Sequence, residues 1–382
     1  MTQEVKIGIV GAGLMGREIA SAIQRWPALV DHPATPRVTA VCDINPAALD
    51  WFRQLPSIEL LTTDVQELYA SDIDVLYIAV RHDLHAEMYS AALDAGKDLL
   101  AEKPFGINSE AAQQIAQSLA RNPGRFVRCS SEMPFFPGAQ MAIDIVRSGR
   151  LGTIIEAESH FWHSSDFDPG KPINWKRQAK FCGAAGVMND LGLHALHVPL
   201  RLGWAPRSLL ACLQDLVPER PDGEGGRALC DTYENAHLWQ TIDSDDGAFP
   251  LTVTMKRIAP GEKNTWSFRA IGMEGGVEFS TKNPKEVRLM TVQALPGGST
   301  EQAWSSLEAG SQSVWPTVTG GIFETGFSDA ILQMWAAFLA ERVGELGDRF
   351  GCVTPQEALA THAIYDAAQQ SHRSAAVAPV TL

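Results

Sequence analysis

A chain of 382 residues, 45% hydrophobic and 20% charged, can bury a substantial core and is long enough for two or three domains. Its net charge of -14 and pI near 5.2, with no local Lys/Arg cluster, exclude a nucleic-acid backbone as ligand. Six scattered cysteines (Cys42, Cys129, Cys182, Cys212, Cys230, Cys352) form no C-x-x-C pair, so free thiols in a reducing compartment are expected and the usual structural zinc spacings are missing. The opening MTQEVKIGIVGAG carries an acid and a lysine where a signal peptide would be apolar, and no apolar run nears the ~20 residues that span a bilayer. A cytoplasmic protein without a membrane segment is expected.

In chain order, VKIGIV and VTAVCD are short β-branched runs, each followed by a helical pattern, LMGREIASAIQRW and PAALDWFRQL. DVLYIAV precedes LHAEMYSAALDAG, closed by Gly96 at a C-cap position, and DLLAEK precedes INSEAAQQIAQSLARN, opened by Asn108 as N-cap. Strands alternating with helices across short loops predict a doubly wound parallel sheet, a first α/β domain over residues 1–128. From 129 to 382 the texture changes. LTVTMKRI alternates Leu251, Val253 and Met255 with Thr252, Thr254 and Lys256, the period of a strand with one covered face. Similar runs at IIEAESHFW, LLACLQDLV, NAHLWQTI, WSFRAIG and EVRLMTV, broken by PERPDGEGG and LPGGST, predict a large, mostly antiparallel open sheet in an α+β domain for substrate binding and oligomerisation. Two helices close the chain, the last announced by the capping-box pattern of Thr354, Pro355 and Glu357. Whether they pack back on the first domain is left open.

The chemistry starts at GAGLMG, which follows a strand and opens a helix. Gly11 allows a tight turn, Gly13 lets backbone approach a pyrophosphate and Gly16 permits close helix packing, with Ala12, Leu14 and Met15 between them. Asp43, at the end of the second strand, can accept hydrogen bonds from both adenosine ribose hydroxyls. A 2'-phosphate would meet like charge there, and Ile44, Asn45 and Pro46 offer no guanidinium, so NAD is favoured over NADP. In MNDLGLHALHVPLRLG, helical up to Pro199 or through it with a kink, Asp190, His194 and His197 lie at i, i+4 and i+7 on one stripe. A proton acceptor next to an alcohol, with an acid orienting its ring, suits oxidation of a carbinol. The same three side chains could also be metal ligands, the alternative set aside here.

GAGLMG with Asp43, then AEKPFG, then D-L-G-L-H at 190–194, in this order, resemble the glucose-fructose oxidoreductase, inositol dehydrogenase and MocA family, Gfo/Idh/MocA, over about residues 7–203. The resemblance implies an NAD(P)-dependent dehydrogenase with Lys103, Asp190 and His194 as catalytic set, Lys103 lying beside the nicotinamide and hydrogen-bonding the reacting hydroxyl. It also implies cofactor contacts from Glu102 and Lys103 and from Val80, Arg81, His82 and His85 in the loop at the end of the DVLYIAV run. Many members carry Thr-Pro-Asn in that loop. His85 matches the family histidine, whereas Arg81 and His82 depart from the pattern, as does His197, where aspartate is common.

The segment FWHSSDFDPGKPINWKRQAKFCG offers Trp162, His163, Trp175 and Lys176 as lining for a sugar or polyol, with Lys103, Asp190, His194 and His197. The alternative is an ordinary loop whose tryptophans anchor it, and Glu132, Phe135 and Phe136 carry the same two readings. The function expected is NAD-dependent oxidation of a secondary hydroxyl on a sugar, polyol or derivative. An NAD-recycling glycosidase, lyase or epimerase is the alternative. A non-catalytic sugar or nucleotide sensor is a further one, disfavoured by the intact Lys103, Asp190 and His194. Helices on one side of a single sheet would leave a broad apolar face, so a homodimer or homotetramer is expected.

Overall fold

The computed structural model describes residues 2–382, which fall into two compact units. The first holds residues up to 132 together with 313–320 and 326–359; the second holds 133–312, 321–325 and 360–382.

The first unit is built on six parallel strands: β1 (Gln3–Val10), β2 (Ala34–Cys42), β3 (Leu60–Thr62), β4 (Val75–Ile78), β5 (Asp98–Ala101) and β6 (Val127–Cys129), in the order β3-β2-β1-β4-β5-β6. VLYI and DLLA are buried at every position, as strands covered on both faces must be. The order reverses between β1 and β4, and ligands of such sheets bind where that happens, at the carboxyl ends of the strands. GAGLMG follows β1 and starts the helix Leu14–Gln24. Asn108 caps Ser109–Arg121 as read, its Oδ1 accepting Ala111 N–H at 2.8 Å. PAALDWFRQL makes only one α turn, Pro46–Leu49, before tightening into a 3-10 helix over Asp50–Gln54.

The helix Phe327–Arg342 belongs to this unit although it lies some two hundred residues further along the chain. Its AILQMWAAFLA core is buried all round and apolar except for Gln333, which pairs with the Trp315 backbone, so it requires cover on every side. Trp335 meets Tyr77 at 6.1 Å and Phe338 meets Phe126 at 5.3 Å, while Arg342 Nε binds Asp98 Oδ2 at 2.8 Å and Arg25 binds Asp329 at 2.5 Å.

The second unit carries β7 (Ile154–Trp162), β8 (Pro206–Gln214), β9 (Glu219–Pro221), β10 (Arg227–Leu229), β11 (Asn235–Ile242), β12 (Phe249–Lys256), β13 (Thr265–Gly272), β14 (Gly275–Ser280), β15 (Glu286–Ala294), β16 (Thr300–Glu308) and β17 (Ala378–Pro379). Nine of them form one sheet, β16-β15-β14-β13-β7-β12-β11-β8-β17, antiparallel except where β12 runs parallel to β7. β9 and β10 make a separate hairpin whose first strand and turn come from PERPDGEGG and whose second strand follows it. β14 and β16 escape a periodicity reading: one begins with two glycines, and the other is an edge strand with hardly a buried residue.

One face of this sheet packs on the helix Val187–Arg201. Phe161 reaches the His194 ring at 5.3 Å, Trp266 Nε1 donates to His194 O at 3.0 Å, and Ser159 Oγ to Ala195 O at 2.6 Å. The opposite face corrects the expectation of a broad apolar surface. Arg269 binds Glu156, Glu158 and Glu278, Arg288 binds Glu278, and His160 stacks on Trp162 at 4.8 Å. Cross-strand partners of opposite charge stabilise a sheet without an apolar cover. The apolar remainder is local, chiefly the paired Leu210 and Trp239.

Candidate active site

In the first unit the glycine turn and Asp43 are brought together. Gly11 has φ +98°, a left-handed value, and any Cβ there would strike the Ala79 carbonyl; a Cβ at Gly16 would strike Gly11 O. At Gly13 nothing lies within 4 Å of where a Cβ would sit, and the helix it opens has no side-chain cap. Open space over uncapped N–H groups at a helix start fits a pyrophosphate. Asp43 Oδ2 accepts Ala12 N–H at 2.7 Å and Oδ1 accepts Asn45 N–H at 2.8 Å, so the carboxylate locks the turn to the end of β2. Leu14 and Ile44 project into solvent on either side. These residues fit a dinucleotide.

The end of β5 is a second assembly in the same unit. Glu102 is buried, accepting Tyr77 Oη–H at 2.5 Å and Ser130 Oγ–H at 2.6 Å on Oε1, and Lys103 N–H at 3.2 Å on Oε2. Tyr89 Oη donates to the Glu102 carbonyl at 2.8 Å. His85 is wholly buried and stacked on Tyr89, its Nδ1 2.8 Å from Pro104 O and its Nε2 3.1 Å from Val80 O. Burial holds its pKa below the ordinary imidazole value despite the two carbonyls. His85 thereby joins the loop after β4 to the E-K-P segment. Arg81 is turned onto Asp83 in two contacts, 3.2 and 3.0 Å, and His82 is buried 5.4 Å from the His85 ring. Glu132 is also buried here; desolvation and the Glu102 charge push it up to about 7.

In the second unit the D-L-G-L-H helix runs unbroken through Pro199, with Asp190, His194 and His197 all buried. Its glycine has a packing reason: a Cβ on Gly192 would collide with the Tyr365 ring. Asp190 is gripped from both sides. Lys176 Nζ lies 2.7 Å from Oδ1 and Arg257 Nη1 3.6 Å from Oδ2. Arg257 Nε also binds Asp166 at 3.1 Å, and the fully buried Arg177 reaches Asp166 at 3.9 Å, Thr232 at 2.8 Å and Glu234. Lys176 is the part-exposed member of this buried network and carries the Trp175 ring beside it at 5.6 Å. His163 borders it; burial drives its pKa down to about 4, against the pull of Asp190.

The structure therefore gathers His163, Trp175, Lys176 and Asp190 with the residues that the sequence reading missed, Asp166, Arg177, Glu234 and Arg257. Trp162 stands apart. It lies on the opposite face of the sheet, its Nε1 donating to Thr254 Oγ1 at 2.6 Å with Lys256 5.1 Å from its ring. Among the described residues no group of three His, Cys, Asp or Glu could hold a metal ion. Nor is any described helix long and apolar enough to cross a membrane.

The model of an oxidoreductase family with an NAD-binding Rossmann fold matches residues 5–128, and that of the GFO/IDH/MocA C-terminal domain matches residues 139–278. The chain belongs to the Gfo/Idh/MocA family. Residues 5–128 of its first unit are thus an NAD-binding Rossmann domain, and the chain is an oxidoreductase. Levoglucosan dehydrogenase of Pseudarthrobacter phenanthrenivorans is 25% identical over 75% of this chain and 76% of that enzyme. Trans-1,2-dihydrobenzene-1,2-diol dehydrogenase of Macaca fuscata fuscata is 26% identical over 50% of this chain, which spans about half, 53%, of its length. Among solved structures, levoglucosan dehydrogenase in complex with NADH and L-sorbose superposes with a TM-score of 0.86 at 22% identity, covering the whole of both chains. At that identity the likeness speaks for the fold.

Proposed function

We propose that this family member oxidises a secondary hydroxyl of a sugar, polyol or derivative, with Lys103, Asp190 and His194 as its catalytic set. The observation that carries the reading is the grip of Lys176 and Arg257 on Asp190. Burying an acid between two cations adds little stability compared with an apolar packing of the same volume, so its presence points to a task. NAD, when bound, supplies the hydride acceptor. The Gly11–Gly16 turn and Asp43 hold the cofactor, with Val80, Arg81, His82, His85 and Glu102 forming the wall of the loop after β4 and the E-K-P segment.

His194 takes the hydroxyl proton. Lys103 donates a hydrogen bond to the same oxygen and stabilises it as negative charge develops, and that contact matters most in the transition state. Asp190, held ahead of His194 by one helical turn, fixes the histidine's setting. His163, neutral above about pH 4, offers a ring nitrogen to a substrate hydroxyl, while Trp175 and Lys176 supply an apolar face and a donor. Support for a sugar comes from the relatives' names, levoglucosan dehydrogenase above all.

The test is a screen of sugars, polyols and sugar acids for NADH absorbance, followed by Lys103→Ala, His194→Ala and the double variant on the best substrate. Each single change should cut kcat by ~10² or more with NAD affinity kept, and the double variant should be little worse than the poorer single one. Near wild-type kcat in Lys103→Ala would sink the mechanism.

A further inference from the structure

The E-K-P segment places one acid beside Lys103, and the fold adds a second. β6 lies next to β5, and the strands are stitched where they end: Ser130 N–H donates to Ala101 O at 2.8 Å and Ser130 Oγ–H to Glu102 Oε1 at 2.6 Å. Two residues further on, Glu132 is 7% exposed, and Glu102 is 8% exposed. Glu102 is committed to Tyr77, Ser130 and the Lys103 amide. That arrangement leaves the two carboxyls with unequal duties. Glu102 is a fixed part of the scaffold, whereas Glu132 sits among the same charges at the carboxyl end of a parallel sheet, where ligands bind.

A purely structural acid has little to recommend it at this place, since desolvating a carboxylate next to another carboxylate is unfavourable twice over. We propose that Glu132 is a positioning residue for Lys103: as a carboxylate it holds the ammonium charged and in place, and once protonated it lets it go. The inference rests on the role given to Lys103 above. The titratable and charged groups that act on Glu132 within this unit are Glu102 and Lys103 from the end of β5 and Tyr77 from β4. Burial and Glu102 favour its protonated form, Lys103 its ionised form, and the balance falls at about 7. Glu132 therefore changes charge near neutral pH, where a fixed structural carboxylate would not.

With this link the rate of oxidation should fall as pH drops through the neutral range, because Lys103 then loses its anchor. Two measurements on the full chain with NAD bound test it. In the first, NMR of isotope-labelled glutamate carboxyls follows the Glu132 signal, assigned by its loss in Glu132→Gln. The signal should titrate near neutral pH in wild type, and Lys103→Met should move that titration to higher pH by removing the cation. In the second, pH profiles of kcat and KM are compared. Glu132→Gln should lower kcat ~10-fold at its optimum and change the acid limb to one set by the proton acceptor His194 alone, with KM little changed, and Glu132→Asp should keep the wild-type limb. Thermal melts show whether each variant folds. An unmoved Glu132 titration in Lys103→Met, or an acid limb unchanged from wild type in Glu132→Gln, overturns the proposal. If the titration moves as expected while Lys103→Met keeps wild-type kcat, the coupling stands and the catalytic role of the lysine falls.

Discussion

Replacing Asp43 separates cofactor choice from loop stability, because the structure gives its carboxylate two duties. Its oxygens accept Ala12 N–H at 2.7 Å and Asn45 N–H at 2.8 Å. A hydrogen bond to a charged group contributes ~1.5–3 kcal/mol, and both of these are accessible enough to solvent to sit at the low end, so Asp43→Ala should destabilise the first unit by about 3 kcal/mol at most. The same change removes the acceptor for the ribose hydroxyls, which should weaken NAD by roughly 10²-fold. For NADP the lost repulsion of the 2'-phosphate offsets part of the damage. The NAD/NADP preference should therefore narrow even though both cofactors bind less well. Asp43→Asn keeps the shape and one acceptor oxygen, so it should lie between wild type and Asp43→Ala in both stability and preference. Fluorescence titration with NADH and NADPH, run beside thermal melts, reads the two effects separately. The assignment is refuted by tighter binding of NADPH than NADH to wild type, or by an equal loss for both in Asp43→Ala.

His163 gives the protein an acid-labile element. Its folded pKa is depressed from 6.5 to about 4, so the neutral ring costs nothing above 6.5, and stability is lost as pH falls from there towards 4, by about 3 kcal/mol at the limit. Urea melts at neutral pH and near pH 4.5 should show a smaller loss in His163→Gln than in wild type, and an equal loss counts against the burial argument. Self-association through the open sheet face should give a dimer or tetramer, which Trp239→Glu should dissociate because Trp239 and its partner Leu210 form the local apolar part of that face. A 41.5 kDa particle at micromolar concentration in sedimentation would remove that expectation.

What could be read from the sequence follows the range of the interaction. The Asn108 cap and the Thr354–Glu357 capping box depend on neighbours a few residues apart, and the parallel sheet and the glycine turn, although closed by distant partners, are announced by local patterns of strand, glycine and helix. The grip on Asp190 joins residues 176, 190 and 257, and a charged side chain read alone looks solvated. A usable signal was nevertheless present in the two-residue period. In LTVTMKRI the covered positions are Leu251, Val253 and Met255, so continuing the alternation places Arg257 on the covered side, and a buried arginine demands an acid. The same parity separates Phe161 from Trp162. If Phe161 faces the helix of Asp190, the next residue along β7 must face away, and it does. A run such as FWHSSD thus cannot contribute adjacent aromatics to one pocket while it remains a strand. His163, just past the end of β7, escapes that restriction, and there the chain turns back towards Asp190. Strand parity predicts which side chains of a β-rich substrate domain can meet, and residue type alone does not.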